Sequence, residues 1–320
     1  MRATVTNPLP DALAHYQAEL LDCLADEAEL VGDPCHEGIE GLHGPQKAHR
    51  ALSLLADRLR PERSDVHLVL WPAFGYWDAM TWVPMARRQP VVLVIHDVEP
   101  LRAQFGHSRA AQASFRAATR LGDLRIVCHT EGAADRLEEL VGVRADVIPH
   151  PMLTPAAPPT RRDERPLVRV LGQHKTRRDL EVLTQLADED SADEFDLEVW
   201  GRGWPDLPGW RVRSGFVAEP AFHRLVTSSD VLVMPYQNYW QSGVAVRAAE
   251  ACRPVVGWDH DQLRFLYGEH WPGAVPRGGS WLDAVRRAIT ARAEVTTSVH
   301  TAHGAVRSAW RGFVEGAGYA

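Results

Sequence analysis

The sequence predicts an α/β protein made of two doubly wound, Rossmann-like parallel-sheet domains. Short apolar runs recur along the chain and are separated by helical patterns, an alternation typical of strands buried in a parallel sheet between helices. Near the middle, residues 149–159 contain five prolines in eleven positions, and proline continues neither a helix nor a central strand. We therefore expect two domains joined by a proline-rich linker.

The first half of the chain alternates strands with helices. Its predicted strands are residues 2–6, 29–31, 66–71, 91–96, 124–128 and 147–148, and its predicted helices are residues 12–25, 46–59, 108–119 and 131–140. These elements predict an N-terminal domain at residues 1–150, followed by a linker at residues 151–165. A helix at about residues 305–320 is expected to pack against the N-terminal domain.

The alternation resumes after the linker. Predicted strands are residues 167–171, 197–200, 231–234 and 254–256, and predicted helices are residues 244–251 and 280–293. These elements predict a second domain at residues 166–304. In such doubly wound sheets, ligands bind beyond the carboxyl ends of the strands, so we expect a cleft lined by the strand ends of both domains.

Composition excludes several classes of function. A net charge of -7 argues against nucleic acid as a partner, because phosphate backbones are bound through basic surfaces. The four cysteines form no C-x-x-C pair, and no D-x-D motif follows a strand, so neither a disulfide framework nor a metal site is predicted.

The chain has no apolar core typical of a signal peptide and no apolar run approaching the ~20 residues that span a bilayer. We therefore expect a cytoplasmic protein. The predicted helix at residues 46–60 carries Arg50, Arg58 and Arg60, which allows a peripheral contact with an anionic membrane. A solvated surface helix is the alternative interpretation.

Three histidines follow predicted strands in the first half of the chain. His96 follows the strand at residues 91–95 and precedes Asp97, whereas His129 and His150 follow the next two strands. A histidine at a strand end could hydrogen-bond a sugar hydroxyl or hold a developing charge. The alternative is that each histidine caps its own turn, but three such positions together favour a polar cleft rim.

Two segments of the second half predict an anion site. Ser242 is suited to cap the helix at residues 244–251, and Gly243 lets a ligand approach the backbone, so this helix start could bind a diphosphate. An ordinary crossover helix is the alternative. Lys175, Arg177 and Arg178 lie in the turn after the predicted strand at residues 167–171, where cations could stabilise a pyrophosphate. A solvated basic helix start is the alternative, but cations in a first helical turn oppose the helix dipole, which favours the functional interpretation.

The order and spacing of these motifs resemble the GT-B glycosyltransferases of retaining family 4, the glycosyl transferases group 1 type. In the first half the resemblance rests on the His96 element, on residues 127–131 and on residues 147–151. In the second half it rests on residues 171–179, 199–203, 229–235, 242–244 and 253–256. It covers nearly the whole chain.

The resemblance implies roles for individual residues. His96, with Asp97 beside it, would lie next to the transferred sugar and form the catalytic pair, with Asn7, His129 and His150 on the acceptor side. The donor would be bound by Gly172, Gln173, Lys175, Arg178, Phe216, Val217, Tyr239, Ser242, Gly243, Val244, Arg247 and Glu250.

Some positions depart from the family pattern. The family's phosphate-binding arginine falls on Gln173 and its lysine on Arg178, so Lys175 and Arg177 would supply the missing charge. The family's two glutamates, eight positions apart, fall on Tyr239 and Arg247, and Glu250 would partly replace the second because residues three apart share a helix face. The usual glycine-rich loop after the first strand is replaced by residues 7–10.

The sequence therefore predicts a glycosyltransferase that moves a sugar from a nucleotide-diphosphate donor, with retention and without metal or other cofactor. Its acceptor would be a saccharide, a lipid-linked molecule or a small molecule. Three alternatives remain: a nucleotide-sugar epimerase, a dehydrogenase, which would need G-x-G-x-x-G after the first strand, and a catalytically silent relative that serves as a binding partner.

Overall fold

The computed structural model describes residues 1–26, 28–32, 42–59, 64–99, 106–156, 165–190 and 193–318. The chain divides into two compact units. Unit 1 comprises Met1–Leu153 and Val306–Ala320, and unit 2 comprises Thr154–Ala305. Part of the predicted linker, residues 157–164, lies outside the described residues.

Unit 1 is built on a six-stranded parallel sheet in the order β2-β1-β3-β4-β5-β6. Its strands are β1 (Arg2–Thr6), β2 (Glu29–Gly32), β3 (Val66–Val69), β4 (Val91–Val94), β5 (Leu124–Cys128) and β6 (Asp146–Val147). Its helices are α1 (Ala14–Leu24), α2 (Gly44–Asp57), α3 (Asp78–Ala86), α4 (Arg109–Leu121) and α5 (Glu131–Val141). The strand order reverses between β1 and β3, so the topological switch point of this sheet lies between the carboxyl ends of these two strands.

Unit 2 contains a second six-stranded parallel sheet in the order β12-β11-β10-β7-β8-β9. Its strands are β7 (Leu167–Leu171), β8 (Asp196–Gly201), β9 (Arg211–Ser214), β10 (Val231–Met234), β11 (Val255–Trp258) and β12 (Ala274–Val275). Its helices are α6 (Leu180–Glu189), α7 (Glu219–Ser228), α8 (Gly243–Glu250), α9 (Asp261–Tyr267) and α10 (Trp281–Thr290). Here the switch point lies between β7 and β10.

The last helix, α11 (Arg292–Gly318), contains the boundary between the two units. Its second half belongs to unit 1, where Arg307 contacts Asp22 and Asp26, and where the Trp310 indole donates to the carbonyl of Pro149 over 2.9 Å. The predicted helix at residues 280–293 is therefore two helices, which are separated at Ala291.

The predicted fold class of two doubly wound parallel sheets is confirmed. The central strands are fully buried, as their continuous apolar runs predict, and β3, β4, β7 and β10 have no exposed residue. Two strands end earlier than predicted, because residues 70–71 and 95–96 leave the ladder to form loops. Within the described residues, no helix combines the length and apolar character needed to cross a bilayer.

Candidate functional site

Unit 1 brings its three strand-end histidines together around the ring of Tyr16, a residue of α1. The ring centroid of Tyr16 lies 4.6 Å from that of His96, 5.6 Å from that of His129 and 4.9 Å from that of His150. All three imidazoles are buried rather than exposed on a rim. The parallel sheet causes this convergence, since β4, β5 and β6 are neighbours whose carboxyl ends lie at the same edge.

Hydrogen bonds define how these imidazoles are protonated. His96 Nε2 lies 2.9 Å from the carbonyl oxygen of Leu70, so this nitrogen donates and Nδ1 carries the lone pair in the neutral ring. His129 Nδ1 donates to the carbonyl of Ile148 over 2.7 Å, and its Nε2 accepts from the Tyr16 hydroxyl over 3.0 Å.

Burial keeps the imidazoles neutral. Desolvation, assisted by the neighbouring His150, lowers the pKa of His96 to about 3. Desolvation likewise lowers the pKa of His129 well below its ordinary value, and it raises the pKa of the Tyr16 phenol well above its own. A neutral His96 is suited to accept a hydrogen bond, whereas burial disfavours a positive charge on its ring.

The other predicted residues of unit 1 lie in distinct surroundings. Asn7 is buried after β1, where its side chain donates to Gln17 over 2.8 Å and accepts from the N–H of Leu9. Asp97 is exposed immediately after His96. Trp71, which follows β3, stacks against His96 at 5.4 Å between ring centroids.

In unit 2, the loops after β7 and β10 are joined by backbone hydrogen bonds at the switch point. Arg178 and Tyr236 form an antiparallel bridge, and the N–H of Asp179 donates to the carbonyl of Pro235 over 2.7 Å. These bonds fix both loops at the edge where open α/β sheets bind their ligands.

Two glycines allow the chain to pack closely at this edge. Gly201 has a φ of +150°, and a Cβ there would lie 2.0 Å from the carbonyl oxygen of Gly172. Gly172 has a φ of +99°, and a Cβ there would lie 3.1 Å from Nη2 of Arg178. The small residues thus leave room for the guanidinium beneath the loop.

Arg178 is a buried cation with no carboxylate partner among the described residues. Its side chain is 8% exposed and lies between the rings of Tyr236, at 4.1 Å, and Trp204, at 5.5 Å. Its Nη2 donates to the carbonyl of Leu171 over 3.3 Å, whereas Nη1 is buried with no hydrogen-bond partner in the described part of the chain. Desolvation lowers the pKa of the guanidinium, but an arginine remains charged in proteins.

The rest of the basic segment lies before α6 rather than inside it. This helix begins at Leu180 and is capped by Asp179, whose carboxylate accepts from the N–H of Val182. Lys175, Arg177 and Arg178 therefore lie in the turn after β7, as the sequence predicted, because the aspartate cap starts the helix after them. Lys175 and Gln173 are exposed in the same loop.

The start of α8 has the predicted capping geometry. The Ser242 hydroxyl accepts from the N–H of Ala245 over 3.3 Å, and Gly243 and Val244 form the first helical positions. The buried side chain of Gln262 holds Ser242 on both sides, since its Oε1 accepts from Ser242 N over 2.8 Å and its Nε2 donates to Ser242 O over 3.3 Å. The first N–H groups of a helix lack intrahelical acceptors and can bind an anion.

Tyr239 connects this helix start to the Arg178 loop. Its ring lies 5.3 Å from that of Tyr236 and stacks on His260 at 3.9 Å, and His260 precedes the Gln262 that holds Ser242. Desolvation raises the pKa of the Tyr239 phenol well above its ordinary value, and the buried hydroxyl has no partner among the described residues.

The remaining predicted donor residues lie along α7 and α8. Arg247, on α8, forms an ion pair of 2.5 Å with Glu219, the first residue of α7. Glu250 ends α8. Phe216 is 73% exposed in the loop before α7, with the guanidinium of Arg202 4.7 Å from its ring centre, and Val217 follows it.

The switch-point group of unit 2 consists of donors: the Arg178 guanidinium, the basic loop and the N–H groups of α8. Such a set suits an anion, whereas hard divalent cations require oxygen ligands. Sequence analysis missed Tyr16, Trp204, Glu219 and Gln262.

No model of a known protein family and no curated protein sequence matches the chain. Solved structures do match. HepE from Anabaena, crystallised with UDP and glucose, is 12% identical with a TM-score of 0.62, and the match covers 99% of this chain and 97% of HepE. The chain has the GT-B glycosyltransferase fold.

Two further GT-B structures match over nearly their full length. WaaG, a glycosyltransferase involved in lipopolysaccharide biosynthesis, is 12% identical with a TM-score of 0.60 and complete coverage of both chains, 100% each. Sucrose-phosphate synthase from Thermosynechococcus elongatus is 12% identical with a TM-score of 0.63, covering 98% of this chain and 96% of that one. At this identity the likeness establishes the GT-B fold.

Proposed function

We propose that this GT-B protein is a glycosyltransferase that moves a sugar from a nucleoside diphosphate to an acceptor. The observation that carries the proposal is the buried guanidinium of Arg178, which has no carboxylate partner in the described part of the chain and lies at the switch point of unit 2. An uncompensated buried ion costs several kcal/mol. A diphosphate bound at this edge would offset that cost.

Leaving-group stabilisation follows from the same groups. As the bond between sugar and diphosphate breaks, negative charge grows on the departing oxygen. Arg178, the exposed Lys175 and the N–H groups of Gly243 and Val244 would stabilise that charge. Because these groups supply positive charge themselves, we propose that transfer needs no metal, and we propose retention from the resemblance to family 4.

We assign His96, Asp97 and the neighbouring histidines of unit 1 to the reacting sugar and the acceptor. The neutral His96 would accept a hydrogen bond from a sugar hydroxyl, because its pKa of about 3 keeps it uncharged at neutral pH. Asn7, His129 and His150 would contribute to the acceptor side. The acceptor would be a saccharide, a lipid-linked molecule or a small molecule.

The first test is ligand-induced thermal stabilisation with UDP, GDP, dTDP and ADP, each with and without Mg²⁺. A ligand present at 100 times its dissociation constant adds about 2.7 kcal/mol to the free energy of unfolding. HepE was crystallised with UDP, which makes UDP the first ligand to examine. We expect stabilisation without Mg²⁺.

A pair of variants links this binding to Arg178. Removing a hydrogen-bonded charge that contacts a phosphate costs about 1.5–3 kcal/mol, so Arg178→Met should weaken UDP binding by roughly 10-fold or more. The control is Arg224→Met, which removes an exposed arginine of α7 that is not assigned to the donor site. Equal affinity of the Arg178→Met variant and the unmodified protein would contradict the proposed donor site.

A further inference from the structure

The ion pair between Arg247 and Glu219 joins a buried cation to an exposed carboxylate. Arg247 is 9% exposed and Glu219 is 63% exposed, with 2.5 Å between Nη2 and Oε1. It differs in this from the pair of Arg58 and Asp78, which are both buried, and from the pair of Arg286 and Glu194, which are both exposed.

Contacts with α7 hold the Arg247 side chain in place, and the ion pair with Arg247 holds the carboxylate of Glu219. The Arg247 guanidinium lies 4.9 Å from the ring centre of Phe222, a residue of α7, and α7 packs against α8. Because an ionised carboxylate offers about four lone-pair sites, Glu219 retains acceptor capacity on its solvent side. The result is a fixed hydrogen-bond acceptor at the surface.

Topology places this acceptor beside the anion site of α8. Helices α7 and α8 follow the parallel strands β9 and β10, so both helices begin at the carboxyl edge of the sheet. Arg247 is four residues beyond Gly243, and residues four apart share a helix face at a spacing of about 6 Å. Arg247 thus lies one helical turn beyond the α8 N–H groups, and its guanidinium holds Glu219 on the same side of the sheet.

A nucleoside diphosphate presents complementary chemistry at this spacing. Its phosphates need donors, which Arg178 and the start of α8 provide. Its ribose, joined to the diphosphate through one ester methylene group, presents two vicinal hydroxyls that need an acceptor. Dinucleotide-binding folds meet the same need with an acidic residue beyond the phosphate-binding helix start.

We infer that Glu219, positioned by Arg247, accepts hydrogen bonds from the ribose hydroxyls of the donor, so that the protein selects ribonucleoside diphosphates over their deoxy forms. This inference rests on the proposed function. Glu219 is the recognition residue, and Arg247 acts through it.

The test compares dissociation constants of UDP, 2′,3′-dideoxy-UDP and inorganic pyrophosphate by isothermal titration calorimetry. A hydrogen bond to a charged group corresponds to roughly a 10-fold or greater difference in affinity, so UDP should bind at least that much more tightly than the dideoxy form. In Glu219→Ala the ratio of the two constants should fall to near one. Pyrophosphate affinity should change little.

Two further variants exclude a merely structural effect. Arg247→Met removes the buried cation and leaves Glu219 in solvent, so no unpaired charge remains buried. It should lower the ratio of the dideoxy-UDP and UDP dissociation constants, while pyrophosphate still binds. Glu194→Ala breaks the exposed pair between Glu194, just before β8, and Arg286 of α10, and should leave the ratio of the two dissociation constants unchanged.

The outcomes separate the inference from the proposed function. If UDP and pyrophosphate both fail to bind, the proposed donor site and this inference fail together. If UDP binds but Glu219→Ala preserves the ratio, or weakens both nucleotides equally, the ribose assignment alone is overturned.

Discussion

Arg178 and Arg58 are both buried arginines, but they differ in the charge that faces them. Arg58 lies 2.7 Å from the fully buried carboxylate of Asp78 and also contacts Thr81 and the ring of Trp82. Among the described residues, Arg178 is faced by aromatic rings, the carbonyl of Leu171 and the hydroxyl of Tyr236. A buried ion pair compensates its own charges, whereas a buried cation without a carboxylate does not. Arg58 therefore stabilises the core, and Arg178 is suited to bind an external anion.

This contrast predicts opposite effects on stability from the same substitution. Arg178→Met removes an uncompensated charge, so the free energy of unfolding of the unliganded protein should stay within about 1 kcal/mol or rise. Arg58→Met leaves Asp78 buried and unpaired, and it should cost about 3–5 kcal/mol. Urea unfolding of both variants measures this difference. A large loss in Arg178→Met would mean that its charge is balanced inside the protein.

At the level of elements, the start of α8 depends on a contact from α9. Gln262 bonds both the N–H and the carbonyl of Ser242, and the imidazole of His260 accepts from the N–H of Gln262. The Ser242 hydroxyl alone accepts from one N–H group of α8. The side chain of Gln262 adds two hydrogen bonds that hold the backbone of Ser242 in place. The anion-binding geometry is thus a property of two helices.

Gln262→Ala should therefore loosen the start of α8. Two hydrogen bonds to a buried backbone group are lost, which should lower the free energy of unfolding by about 2 kcal/mol. Amide exchange at residues 242–247 should become faster, and UDP should bind more weakly. Gln237→Ala is the matched control, because its exposed side chain lies in the loop after β10; equal exchange in the two variants would contradict the role of Gln262.

On the scale of the whole molecule, the buried imidazoles of unit 1 link stability to pH. The ring of His96 contacts Tyr16, Trp71, His129 and His150. His150 Nδ1 in turn lies 3.6 Å from the buried carboxylate of Glu19. The folded pKa of His96 is about 3, below the ordinary value of 6.5, so the unfolded chain binds more protons between these values. The contribution of neutral His96 to the free energy of unfolding is therefore fully present above about pH 6.5, and it is lost as the pH falls towards 3.

The variant His96→Asn tests this linkage. An asparagine keeps a polar side chain at this position, but it does not titrate. Below pH 6 the slope of unfolding free energy against pH should fall by up to about 1.4 kcal/mol per pH unit. Urea unfolding between pH 4.5 and 7 provides the slope, with His223→Asn, an exposed histidine of α7, as the control. An unchanged slope in His96→Asn would show that this imidazole is not held neutral by the fold.

Much of the fold followed from local patterns. The strands β1, β5, β7 and β10 coincide with their predicted bounds, because runs of strand-forming residues bordered by proline, glycine or polar residues are visible in the chain itself. The edge strand β9 was not predicted, since Arg211–Ser214 is largely exposed and carries two arginines. Strands at an edge need no apolar run.

The sequence by itself determined the two parallel sheets, the histidines at successive strand ends and the serine cap of α8, because periodicity, strand ends and caps are encoded by adjacent residues. Tertiary structure decided which charges are paired. Arg178, Arg247 and Arg58 look alike in sequence, but the fold surrounds the first with aromatic rings, places Glu219 beside the second and buries Asp78 against the third. Electrostatic roles depend on partners that the chain brings close only when it folds.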